Sequence, residues 1–229
     1  GNRPLPLRQQ AAPAVVAPLS AFSRRALAIS DGALIPGRQH RDLRFNLQYG
    51  LPMTNPALAS AWRREINRAS ERAEFDYPDA QGLPALREQI CDYLRRRRGV
   101  EATPENILVI SGTQQAFALA SRVLLDAGDR VVLEDPHYRG ARQIFASYGA
   151  RVLGVRVDAE GLVPAALPKQ ASLAVVTPSH QFPTGALLPL SRRVELLEWA
   201  TAKRCWLIED DYDGEFRFGG RPLAALKSL

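Results

Sequence analysis

A chain of 229 residues that is 46% hydrophobic and 24% charged has the composition of an ordinary globular protein and is long enough to bury a substantial core. No apolar run approaches the roughly 18 residues of a membrane span, and the apolar stretch 11–19 is interrupted by Pro13 and Pro18, with no small-residue cleavage site after it. Cys91 and Cys205 form neither a CxxC pair nor a metal-ligand spacing, so a soluble, cytoplasmic protein without a metal centre is expected.

The net charge of +6 and the pI near 9.7 come from 27 arginines set against only Lys169, Lys203 and Lys227. The densest run, Arg95–Arg98, closes a helical pattern just before Gly99 and has no aromatics interleaved with it. That favours a helix C-terminus, where cations oppose the dipole and glycine ends the turn, over a nucleic-acid contact.

Residues 1–40 carry Pro4, Pro6, Pro13, Pro18 and Pro36 among scattered Ala and Arg, a composition that predicts a linker or N-terminal extension, with the folded domain over 41–229. Regular periodicity begins at residue 58. Leu58, Trp62, Ile66 and Ala69 recur at helical spacing, as do Leu83, Leu86, Ile90 and Leu94. Short apolar runs then alternate with helical stretches: NILVIS, RVVLED, ARVLGVRVD, LAVVTP and CWLIED, each followed by an expected helix up to the last. Strands and helices alternating at this length predict βαβ crossovers and a mainly parallel, doubly wound α/β sheet, whose ligands sit beyond the carboxyl ends of the strands.

Four strand ends carry the chemistry. The first, ISGTQQAF (110–117), is either a plain helix N-cap or an anion cradle of free backbone N–H groups, with Ser111 or Thr113 adding a hydroxyl; it matches neither the Walker pattern nor GxGxxG. The second, LEDPHYRGA, offers Tyr138 as an aromatic slab or as a surface ring packed on its own helix, and His137 beside it. The third, TPSHQFPTG, is a proline- and glycine-shaped loop with Ser179, His180 and Gln181 as polar contacts. A metal site from His137, His180 and Asp210 lacks a close histidine pair or any ligand spacing. The fourth, WLIEDDYDGEF, places Glu209, Asp210 and Asp211 at the tip of an apolar strand. An anion cradle, an aromatic slab, a shaped polar loop and a carboxylate together suit a ligand with a phosphate, a flat ring and a basic ring nitrogen, as pyridoxal 5'-phosphate has.

The segments YPDAQGLPALREQICDYLRRRRGV, ISGTQQAFALASRVLLDAGDRVVLEDPHYRGAR, VVTPSHQFPTGALLPLSRRVELLEWA and LIEDDYDGEFRF together resemble the aminotransferase-like domain of MocR-type regulators, a branch of the GntR family, and more broadly fold-type I pyridoxal-phosphate proteins. The resemblance runs from about Phe45 to Leu226. It implies the three-layer large domain of a pyridoxal-phosphate-dependent transferase, incomplete at its C-terminus. It also implies a role as effector sensor, with a winged-helix DNA-binding module outside this chain, a small amino-acid-like or vitamin B6 effector, and a homodimer when the protein is whole. The alternative it leaves open is a cytoplasmic class I/II aminotransferase. Residue by residue, Gly112, Thr113 and Gln114 match the phosphate-binding turn and Tyr138 the aromatic that stacks on the pyridine. Asp210 matches the partner of the pyridine nitrogen, where a carboxylate keeps the ring protonated, and Tyr212 the group that reaches the phenolic oxygen. His180 and Gln181 fall in the loop that carries an asparagine in enzymes of this fold, although Phe182 stands before Pro-Thr-Gly here. Arg139 is a candidate for an effector carboxylate, and Asp211, Asp213 and Glu215 are expected as loop charges or partners of Arg217 and Arg221. The family's Schiff-base lysine matches none of the three lysines, so no catalytic residue is assigned and no transaminase activity is expected of this chain.

Overall fold

The computed structural model describes residues 18–29, 44–45, 55–71, 76–215 and 224–229. Its elements are α1 (Ala21–Ile29), α2 (Pro56–Glu71), α3 (Pro84–Arg98), α4 (Thr113–Leu124), β1 (Arg130–Asp135), α5 (Arg139–Ser147), β2 (Arg151–Asp158), β3 (Gly161–Leu162), β4 (Leu173–Val176), α6 (Leu190–Lys203) and β5 (Trp206–Glu209). No helix among the described residues is long and apolar enough to cross a membrane.

Val131–Leu133 of β1 and all of β4 are Val, Leu and Ala buried on both faces, the pattern that a parallel strand covered by helices on each side requires. They form the centre of a sheet ordered β3-β2-β1-β4-β5, in which β2, β1, β4 and β5 are parallel and β3 is an antiparallel edge. Side chains alternate across it. Val131, Leu133, Leu173 and Val175 pack with Phe117 of α4 and Phe145 of α5, while Val132, Ala174 and Val176 pack with Leu196 and Ala200 of α6. Phe117 and Phe145 are fully enclosed, and burying a side chain of that size contributes on the order of 2–3 kcal/mol. Helices on both faces of one mostly parallel sheet make the three layers of the predicted doubly wound fold.

Chain order explains where a ligand belongs. From β1 the chain steps outward to β2 through α5, then returns to β4 on the other side of β1 and continues to β5 through α6. The sheet therefore grows in opposite directions from β1, and the carboxyl ends of β1 and β4 flank the switch point where such sheets bind ligands.

Two sequence expectations are corrected. NILVIS forms no strand: residues 107–110 have no regular secondary structure, Leu108 is half exposed, and Val109 N–H donates to Gln81 O at 2.8 Å instead of joining a ladder. Between β2 and β4 there is no α-helix, because Gly161 (φ 83°), Pro164 and Pro168 favour the β3 turn-back and one 3-10 turn. α2 forms as its periodicity predicts, but Leu58, Trp62 and Ile66 remain exposed, so its apolar stripe has no buried counterpart among the described residues. Within the stretch expected to be a linker, α1 folds against α5, where Arg25 Nε donates to Ser147 O at 2.9 Å and Phe22 meets Tyr148 edge to face.

α3 ends as predicted, with Gly99 left-handed at φ 68° and its N–H on Leu94 O. Arg95 and Arg96 lie on the surface beside Asp92, whereas Arg98 turns inward and is buried.

Candidate cofactor site

A cavity of about 170 Å³ lies beyond the strand ends at the switch point, lined by Thr113, Tyr138, Thr177, Phe182, Asp210 and Tyr212. Each wall comes from a different connection. Thr113 opens α4, Tyr138 follows β1, Thr177 and Phe182 follow β4, and Asp210 and Tyr212 follow β5.

The floor is the β5 terminus. Asp210 N–H donates to Val176 O at 2.9 Å, so the ladder runs on past Glu209 and neighbouring side chains still point to opposite faces. Glu209 and Asp211 turn to one side, towards the buried Arg98 guanidinium at 3.3 and 3.2 Å. Asp211 Oδ1 sits within ion-pair reach of Arg98 without hydrogen-bond alignment. Arg98 also donates to Ser179 Oγ, and Glu209 Oε2 accepts Leu226 N–H at 2.7 Å. Asp210 turns the other way, into the cavity, where its carboxylate has no hydrogen bond or ion pair among the described residues. Burial, reinforced by the neighbouring Asp211, holds its proton affinity above the ordinary aspartate range. The expected partners Arg217 and Arg221 lie outside the described residues; Asp211 meets Arg98, Asp213 meets His180, and Glu215 accepts from Tyr93 Oη.

The walls are aromatic. Phe182 meets Tyr138 and Tyr212 edge to face, at centroid distances of 6.1 and 5.7 Å. Gln114 Nε2 donates to Tyr138 Oη at 3.1 Å and fixes that ring. A Cβ on Gly140 would overlap both Gln114 Nε2 and the Tyr138 ring, so any larger residue there would push this pair out of place. Tyr212 is stacked on His180, and its phenol is pushed up to about 12, by burial first and then by Asp213, Asp210 and Glu134. It therefore stays protonated and can donate throughout the ordinary pH range. At the rim, Gly112 takes φ 104° as the N-cap of α4 with no side-chain cap, which leaves the first-turn N–H groups of Thr113 and Gln114 without helical acceptors.

Of the residues singled out from the sequence, Thr113, Tyr138, Asp210 and Tyr212 line this cavity. Gly112 shapes its rim, Gln114 holds Tyr138, and the exposed His180 braces Tyr212 from behind. Arg139 lies elsewhere, in a second and larger hollow beside Asp135, His137, Arg142 and the end of α1. Thr177 and Phe182 also line the cavity, and Glu134 is hydrogen-bonded to Thr177 behind them, three residues that no sequence motif singles out. Their signal was position, at the carboxyl ends of β1 and β4. None of Lys169, Lys203 and Lys227 is among the lining residues.

The residues present fit a phosphorylated, cationic aromatic ring: an unpaired carboxylate for a ring N–H, aromatic walls for its faces, a phenol that donates, and free N–H groups with the Thr113 hydroxyl for an anion. Fold and cavity together define the large domain of the fold-type I class. The family model described as aminotransferase class I and II matches residues 46–226, and the chain belongs to that family. It is 41% identical, over 80% of its length and 40% of the relative's, to the HTH-type pyridoxine biosynthesis transcriptional regulator PdxR of Corynebacterium glutamicum. It is 37% identical, over 79% of its length and 37% of the relative's, to the probable rhizopine catabolism regulatory protein MocR of Rhizobium meliloti. The chain thus spans about two fifths of these relatives. Among solved structures it resembles LysN, the alpha-aminoadipate aminotransferase of Thermus thermophilus complexed with N-(5'-phosphopyridoxyl)-L-leucine, with 33% identity and a TM-score of 0.65 over 76% of this chain and 44% of that one.

Proposed function

We propose that this chain is the effector-sensing, pyridoxal-phosphate-binding domain of a MocR-type transcription regulator, whose DNA contacts are made by a module outside the chain and whose whole form is a cytoplasmic homodimer. The observation that carries the cofactor assignment is the Asp210 carboxylate, half-buried at the switch-point cavity and without a partner among the described residues. The regulator relatives support the role in transcription regulation.

In this reading Asp210 accepts the ring N–H, Tyr138 covers one face of the ring, Tyr212 donates to its phenolic oxygen, and Thr113 with the α4 N-terminus holds the phosphate. Pyridoxal phosphate, when bound, supplies an electrophilic carbon for a primary amine, which makes an amino-acid-like effector the natural ligand class. The chain's own part is to bind, orient and keep the ring nitrogen protonated. The regulator relatives favour sensing over turnover as the role of these residues.

The test is calorimetric titration of the 229-residue chain with pyridoxamine phosphate, which needs no lysine. Saturable 1:1 binding is expected, weakened at least tenfold in Asp210→Asn; equal affinities would remove Asp210 from the ring nitrogen. The same preparation given pyridoxal phosphate and an amino acid is expected to form no keto acid, and its accumulation would favour the aminotransferase reading.

A further inference from the structure

Glu134 is the deepest carboxylate near the cavity, only 4% exposed near the end of β1, and the assignment above gives it no role. Its Oε2 accepts two hydrogen bonds, from Thr177 Oγ1 at 2.5 Å and from Gln181 Nε2 at 3.1 Å. Both donors lead to the cavity wall. Thr177 Oγ1 accepts Phe182 N–H at 3.0 Å, and the buried Gln181 amide also reaches Phe182 O at 2.7 Å and Pro136 O at 2.9 Å. On its other side, Gln181 Oε1 accepts Thr184 N–H and Thr184 Oγ1 at 3.1 and 2.6 Å. One carboxylate oxygen thus organises the loop after β4 and ties it to the loop after β1 that carries Tyr138.

The usual cost of enclosing a carboxylate is several kcal/mol unless its hydrogen bonds and charge are met. Here the hydrogen bonds are met, but no cation stands beside it among the described residues, and the charge that acts on it is a like one, Asp210. Two mutually repelling carboxylates below one aromatic-walled cavity form a site whose missing component is positive. Resting on the cofactor reading above, we propose that Glu134 is a positioning residue for the bound ring: it sets Thr177 and Phe182 against the ring, and its charge acts behind Asp210 to hold the ring nitrogen protonated. The other titratable groups around it are Asp210 and Tyr212 across the cavity and His137, whose Nδ1–H donates to the Glu134 backbone carbonyl at 2.8 Å.

Glu134→Gln tests this, because the amide oxygen can accept from Thr177 and Gln181 as the carboxylate does while the charge is lost. The readouts are pyridoxamine phosphate affinity and the nitrogen NMR shift of ring-labelled ligand as a function of pH. Expected are an affinity loss of about tenfold and a ring nitrogen that gives up its proton about one pH unit lower than in the parent chain, a unit being the tenfold change. Glu134→Asp keeps the charge and is expected to restore the parent titration with weakened affinity. Parent-like affinity and titration in Glu134→Gln would overturn the proposal. A parent chain that does not bind the ligand would instead overturn the cofactor reading, and this role with it. Should Glu134→Gln fail to fold, Thr177→Val removes the hydroxyl that links Glu134 to Phe182 and leaves the Glu134 carboxylate in place; a several-fold affinity loss is expected, and none would overturn the positioning role.

Discussion

The two sides of the β5 terminus use the same residue type differently. On one side Glu209 and Asp211 converge on Arg98, whose guanidinium also reaches Ser179, and the neighbouring Arg193 ties three backbone carbonyls, those of Leu188, Ala224 and Pro178, at 2.8–2.9 Å. On the other side Asp210 faces aromatic rings and has no partner among the described residues. Since all three carboxylates are consecutive, composition cannot explain the difference; strand alternation does. The buried cations fix the strand end in place, and that lets the residue between the two paired ones stay unpaired without the terminus collapsing onto it.

The strongest way to break this comparison is to remove the cation. Arg98→Ala leaves Glu209 and Asp211 facing each other in a poorly hydrated space, and truncating one partner of a buried ion pair costs about 3–5 kcal/mol. Urea denaturation of the 229-residue chain is expected to show a loss of that size. A loss below about 1 kcal/mol, as for a surface pair, would mean that water reaches the cluster and that the two sides of the strand end are alike.

Removing Asp210 is expected to do the opposite to stability while it harms binding. Asp210→Asn discards an unpaired, partly buried charge and should stabilise the ligand-free chain by about 1 kcal/mol at neutral pH. The sign follows from linkage. Burial raises the folded-state affinity of Glu134, Glu209, Asp210 and Asp211 for a proton, so the folded chain binds more protons than the unfolded one between the ordinary carboxylate range near pH ~4 and the raised values. The contribution of these groups is therefore complete below that range and is lost as pH rises through it. Asp158, held at about 2 by Arg192, works the other way, but only below its ordinary value. As the pH is lowered from neutrality towards the ordinary carboxylate range near pH ~4, the urea midpoint of the parent should rise, and the rise should be smaller in Asp210→Asn. An equal rise in both would show that the Asp210 charge costs the fold nothing.

Much of this architecture is legible in the sequence because it rests on local pattern. Alternating apolar runs and helical stretches give the parallel sheet, Gly99 gives the end of α3, and the strand-end position of Asp210 and Tyr138 gives their place in the site. What is not legible depends on three-dimensional neighbours. Four adjacent arginines look equivalent until α3 packs and only Arg98 points inward. NILVIS has strand composition, yet a strand also needs a ladder partner. Thr177 and Glu134 look like ordinary members of strand ends, and only the register of β1 against β4, Val131 with Leu173 through Leu133 with Val175, brings them within 2.5 Å.

The smallest expected effect tests the cavity side alone. His180 is exposed and its ring stacks on Tyr212 at 5.9 Å with an 18° interplanar angle. Its Nδ1 lies 2.5 Å from Asp213 Oδ2 and 3.2 Å from Tyr212 Oη. One ring nitrogen carries either one proton or one lone pair, and the short contact to a carboxylate claims it as a donor, so Tyr212 keeps its own proton for the cavity. His180→Ala should therefore change stability by no more than about 0.5 kcal/mol, as exposed substitutions do, while freeing the Tyr212 ring and lowering pyridoxamine phosphate affinity a few-fold. Unchanged affinity would mean that the edge contact with Phe182 is enough to hold Tyr212, and that the aromatic wall, like the charged cluster behind β5, is fixed from within.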